Sequence, residues 1–110
     1  MVESTLAGRA VGQTIADLTA SFVKANRGRP VWLIRAEETT SYAPDAVTQA
    51  VTSFGDLHSK HGLRKIIAVI KMPTVRMGAS IVSMSLRAAG SSLEIVVVES
   101  VEEAHALLST

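Results

Sequence analysis

Three groups of residues in this 110-residue chain have the types and spacing for chemistry. His58 and His61 lie three apart with Asp56 close by, a spacing that can put two imidazoles and a carboxylate on one helical face, as a metal site requires. A third firm ligand is missing from the local sequence, and the neighbouring Lys60 and Gly62 mark a helix end, where polar and cationic side chains meet terminal carbonyls. No metal and no cofactor are therefore expected. Glu37 and Glu38 follow an apolar run, at the sheet end where open α/β proteins bind ligands. Adjacent strand positions point to opposite sides, so the two are read as an exposed strand end and not as an acid and base pair.

Lys71, Thr74 and Arg76 form the third group, after a second apolar run and where the next helix offers free N–H groups. Together they could hold a phosphate or a carboxylate. The loop KMPTVRMG has neither the glycines nor the GK[ST] ending of a P-loop, so nucleotide hydrolysis is not expected. His105 is read as surface polar, and no serine, histidine and acid fall into a recognisable triad. With no convergent acid, base and nucleophile, the chain is read as no enzyme.

The elements that must position these groups are legible in the hydrophobic pattern. Pro30–Arg35 (PVWLIR), Lys65–Ile70 (KIIAVI) and Leu93–Val98 (LEIVVV) are short continuous apolar runs separated by helix-length amphipathic segments. Continuous runs belong to strands covered on both faces, and intervening helices are what cover a parallel sheet. Val11, Ile15, Leu18 and Phe22 make one helical stripe, closed by Asn26, Arg27 and Gly28; Val47, Val51, Phe54 and Leu57 make a second, from Pro44 to Gly62. A third helix opens after Met72 and Pro73 and runs to Gly90. Its many small residues imply tight packing on the sheet, with Ile81, Met84 and Leu86 filling the core, or a face for self-association or a ligand. Ser100 and Glu103 have capping-box spacing for a fourth helix, packed down by Ala104, Leu107 and Leu108. Trp32 is assigned to the core or an interface. The expected fold is a single α/β domain over residues 1–110, in the order α-β-α-β-α-β-α. It has a small, mainly parallel sheet of about three to four strands and helices chiefly on one face.

Composition narrows the partners. Eleven basic against ten acidic residues leave a net charge of +1, so no global field recruits nucleic acid or an anionic membrane. Lys24, Arg27 and Arg29 read as a solvated turn without aromatic surface for base stacking. The uncharged stretch from Met77 to Leu86, unsurpassed in length along the chain, is far short of the roughly 20 residues that span a bilayer. The absence of cysteine removes disulfides and thiolate chemistry and is consistent with a reducing cytoplasm. The start, MVESTLAGRAVG, has neither the basic nor the apolar part of a secretory signal, and the mature chain is expected to begin there.

From Arg29 to Leu108, RPVWLIRAEETTSYAPDAV, HSKHGLRKIIAVIK, PTVRMGASIVSMSLRAAG and LEIVVVESVEEAHALL follow one another in an order that resembles a STAS domain of the bacterial SpoIIAA-like branch. The resemblance implies helices mainly on one side of a small mixed sheet and a noncatalytic regulatory or scaffolding role through protein–protein interaction. In the anti-sigma-factor antagonists of that family a phosphorylatable serine opens the helix after the central strand. Here that junction reads AEETTSYAPDAV, which puts the corresponding position near Asp45 and hydroxyls earlier, at Thr39, Thr40 and Ser41. Thr39, Thr40, Ser41, Tyr42 and Asp45 are thus the expected partner-binding residues. The family usually has one or two strands before the first helix, and here only Met1 to Leu6 precede helical sequence. An uncovered strand edge invites another chain, so a homodimer or a regulatory protein partner is expected. The alternative reading is a carrier or sensor for a small amphipathic or anionic molecule. Its apolar body would lie between helices and sheet, and its anionic end near Lys71 and Arg76.

Overall fold

The structure, a computed structural model, describes residues 2–26 and 28–108. Met1, Arg27, Ser109 and Thr110 fall outside it, and with Arg27 one residue of the expected first-helix stop and basic turn. The elements run β1 (Val2–Ala10), α1 (Gly12–Ala25), β2 (Val31–Tyr42), α2 (Pro44–His61), β3 (Lys65–Ile70), α3 (Pro73–Ala88), β4 (Glu94–Val98) and α4 (Val101–Leu108). The four strands form one sheet in the order β1-β2-β3-β4, with every neighbouring pair parallel. This is the small parallel α/β sheet expected, without the antiparallel strand of a mixed one among the described residues.

Because each strand is added beside its predecessor in one direction, crossovers of one hand lay α1, α2 and α3 on the same face. Trp32, Ile34, Ala36, Ile66, Ala68 and Ile70 of the central strands meet Ile15 and Phe22 of α1, Phe54 and Leu57 of α2, and Val82 and Leu86 of α3 in the main core. The opposite face carries a smaller cluster, Leu33, Ile67, Val69 and Val98, covered by α4 through Ala104. Burial on both faces is why β3 reads as an uninterrupted apolar run.

Two expectations need correction. The chain does not open on a helix. Val2–Ala10 is a strand, and it covers the edge of β2 through the pairings Val2 with Trp32 to Ala10 with Tyr42. The argument for an uncovered central strand awaiting another chain therefore falls. Only Leu6 and Ala10 of β1 are buried, and two register shifts interrupt the pairing, so no apolar run announces the strand. The second correction is the length of β2, which continues past Arg35 and the expected strand end at Glu37 and Glu38 to Tyr42, taking in most of the junction before α2.

Helix ends follow the local chemistry. Pro44 and Pro73 sit in the first turns of α2 and α3, where a missing N–H costs nothing, and Gly62 ends α2 with a φ of 73°, a left-handed conformation that favours glycine. At α4, Ser100 Oγ accepts from the Glu103 N–H at 3.1 Å, while Glu103 Oε2 accepts from the Glu99 N–H at 3.2 Å. Ala104 alone of the expected trio is buried; Leu107 and Leu108 lie at the surface. Among the described residues no helix is long and apolar enough to cross a membrane.

Candidate binding site at the carboxyl edge of the sheet

Extension of β2 to Tyr42 carries the AEETTSY residues to the carboxyl edge of the sheet, beside the first turns of α1, α2 and α3. Thr39 does not reach a partner there: it is buried, and its hydroxyl donates to the Leu6 carbonyl at 2.9 Å, tying β2 to β1 across a register shift. Thr40 is exposed, and Ser41 and Tyr42 are half-buried. Asp45 is exposed in the first turn of α2, with its carboxylate against the start of α1: a Cβ on Gly12 would lie 2.9 Å from Asp45 Oδ2. The carboxylate thus sits by the positive ends of two helices. Thr40, Ser41, Tyr42 and Asp45 make one rim.

The expected anion trio is divided among other partners. Arg76 pairs with Glu99 at 3.0 Å, although its Nε is buried without a hydrogen-bond partner. Lys71 is exposed and its charge acts on Glu37; Thr74 is exposed in the first turn of α3. Glu37 accepts a 2.9 Å hydrogen bond from Arg35 Nε. That bond, helped by the Arg35 and Lys71 charges and opposed by desolvation, holds the Glu37 carboxyl below the usual carboxylate range and raises the Arg35 guanidinium. Glu37 is thereby engaged in a half-buried ion pair, and Glu38 is left at the surface.

His58 is structural. Its Nδ1 lies against the Leu63 carbonyl, which can only accept, so Nδ1 carries the proton, and Nε2 meets Ser92 Oγ at 3.0 Å. The ring ties the end of α2 to the connection that leads into β3 and to the segment before β4. Among the described residues no group of three His, Cys, Asp or Glu is placed to hold a metal. His58→Ala is expected to lower unfolding free energy by about 1–3 kcal/mol, because it strands a carbonyl acceptor, a result that denaturant unfolding checks.

Of two features of the site, the sequence misplaced one, the apolar stripe of α3, and offered the other, a space between helices and sheet, only in the carrier reading. Helix α3 packs through Val75, Gly78, Val82 and Leu86, so Leu86 fills the core as expected but Ile81 and Met84 do not. Ile81 is 42% and Met84 68% exposed, in line with Met77 at 62%. The stripe at positions 77, 81 and 84 has helical spacing, the same signal as a core stripe, and only the tertiary placement of the helix reveals that it faces solvent.

The other feature is a chamber of about 110 Å³ between the three helices and the sheet, with no polar surface in its wall. It exists because small residues converge on it from every side: Ala10, Ala36, Ala68, Ala46, Ala50 and Gly78. Tyr42 lies at its edge with its ring against Gly78, where a Cβ would come within 2.8 Å of Tyr42 Cε1. Comparison with known proteins finds no matching family model, no matching curated protein and no matching solved structure.

Proposed function

We propose that the chain is a noncatalytic regulatory or scaffolding module that binds a protein partner through the outward face of α3 and the adjoining rim. The observation that carries this reading is the exposed apolar series Met72, Met77, Ile81 and Met84, at 41%, 62%, 42% and 68%. Each leaves two fifths or more of its surface in solvent, and an apolar patch bordered by polar groups is the usual anatomy of a contact surface. Methionine suits such a surface because its flexible, polarisable side chain adapts to the shape it meets. The polar border is supplied by Thr40, Ser41 and Asp45, and the Tyr42 ring on Gly78 joins that border to α3.

A phosphate on Thr40 or Ser41 would add about 1.5–2 negative charges beside Asp45, enough to change how an acidic or basic partner is received. Membership of the STAS family, a bacterial cytoplasmic setting and a homodimeric state belong to the same proposal. What supports the first is the sequence pattern from Arg29 to Leu108 together with three helices on one face of a small sheet; the parallel course of every described strand departs from the mixed sheet that the resemblance implies.

Affinity capture from an extract of the native cells tests the reading. The double variant Met77→Ser with Met84→Ser is expected to retain at least tenfold less of the stoichiometric partner, with Tm unchanged, since both side chains are exposed. If the partner proves to be the chain itself, sedimentation of the same variant should show the dimer lost. Equal capture by wild type and variant would remove α3 from the interface.

A further inference from the structure

We propose that the chamber between the sheet and helices α1, α2 and α3 is a binding site for the apolar end of a small molecule, a ring of about benzene size or a short branched alkyl group, with Tyr42 as its gate. This goes beyond the partner surface, which lies on the outside of α3.

Size and chemistry select the ligand. An engineered apolar cavity of roughly 150 Å³ in another protein stays dry and takes up benzene or xenon. The chamber here, about 110 Å³ and without polar wall surface, belongs to that class. A water molecule needs two to four polar partners, and none is on offer. The one threonine in the wall, Thr39, has its hydroxyl committed to the Leu6 carbonyl. Charged and hydrogen-bonding groups are excluded for the same reason, so any polar part of the ligand stays outside, at the rim.

The void is also local. Elsewhere the same core is filled: Phe22, Trp32 and Leu63 are 0% exposed and Leu57 1%. A chain that can place a tryptophan and two phenylalanines in one layer could have put a larger aliphatic at Ala36, Ala50 or Ala68. The entrance lies at the carboxyl edge. Tyr42, Val47 and Ala79 line the chamber, are only half-buried, and come from the end of β2, the first turn of α2 and the second turn of α3; Leu18 of α1 and Ile95 of β4 are the other half-buried residues of its wall. Tyr42 rests there with its ring against Gly78, so displacement of one side chain opens the way.

The test is a titration of the purified chain with toluene, followed through methyl resonances. Saturable shifts are expected at Ile34, Ile66, Ile70, Val75 and Val82 and not at Leu33, Val69 or Val98 on the opposite face of the sheet. Ala68→Leu, which fills the chamber, is expected to weaken binding at least tenfold while the amide spectrum stays dispersed. Ala50→Val serves the same purpose from α2 if the first variant does not fold. Tyr42→Ala is expected to speed ligand exchange several-fold. Shifts that do not saturate, that appear equally on both faces, or that persist undiminished in a folded chamber-filling variant would overturn the assignment.

Discussion

Trp32→Ala is expected to lower the unfolding free energy by about 3–5 kcal/mol, against a total of about 5–15 kcal/mol for a domain of this kind. The indole is fully buried on β2, 4.4 Å from the Phe22 ring of α1 at a tilt of 32° and edge-on at 5.6 Å to Phe54 of α2. Its Nε1 donates to Ser4 Oγ at 2.9 Å, which reaches β1 as well. One side chain therefore joins four elements, and its removal leaves a cavity that none of them can close alone. Trp32→Phe keeps a ring in the stack and loses the hydrogen bond, so a smaller loss of about 1–2 kcal/mol is expected. Urea unfolding followed by far-ultraviolet circular dichroism measures both, since the chain has no second tryptophan to report by fluorescence. A loss below about 1 kcal/mol for Trp32→Ala would show that this layer is not the centre of the core.

Gly78→Ala is expected to destabilise by about 1–3 kcal/mol, although alanine is the better helix former by up to about 1 kcal/mol. The new Cβ would meet Tyr42 Cε1 at 2.8 Å and Cζ at 2.9 Å, so the ring must leave its packed position at the edge of the chamber. The decisive comparison is made in a Tyr42→Ala background, where the obstacle is gone. There Gly78→Ala should become neutral or stabilising, a change of sign that a double-mutant cycle reads directly. Gly55 is the control: a Cβ there meets only Leu86 Cδ2 at 3.5 Å, ordinary contact, so Gly55→Ala should stabilise α2. If Gly78→Ala costs the same with and without the tyrosine, the ring does not depend on that notch.

What the sequence made legible follows the physics of each element. KIIAVI is buried on both faces and could only be a central strand, and the stripes Ile15–Leu18–Phe22 and Val47–Val51–Phe54–Leu57 meet the sheet as their spacing requires. VESTLAGRA was not legible because an edge strand needs little apolar surface, and its pairing is set by β2 more than by its own composition. The same is true of EETTSY, which is extended because β1 lies beside it. At the site, Asp45 was placed correctly in the first turn of α2, while Thr39 was lost to the interior and Arg76 to Glu99. Those are long-range pairings, invisible in local spacing. The stripe of Met77, Ile81 and Met84 shows the limit most clearly: periodicity reports that a helix has an apolar face, and α3 has two, of which the sheet takes only one.

The most direct test of the partner-binding account is oxidative footprinting of the methionine side chains, with and without the captured partner, read by mass spectrometry. In the free chain Met77 and Met84 should oxidise readily, because exposure governs the reaction. In the complex both should be protected at least fivefold, as a partner seated on α3 requires. Oxidation of Met77 and Met84 at the same rate in the free chain and in a stoichiometric complex would contradict the account and send the search for the interface to another face of the molecule.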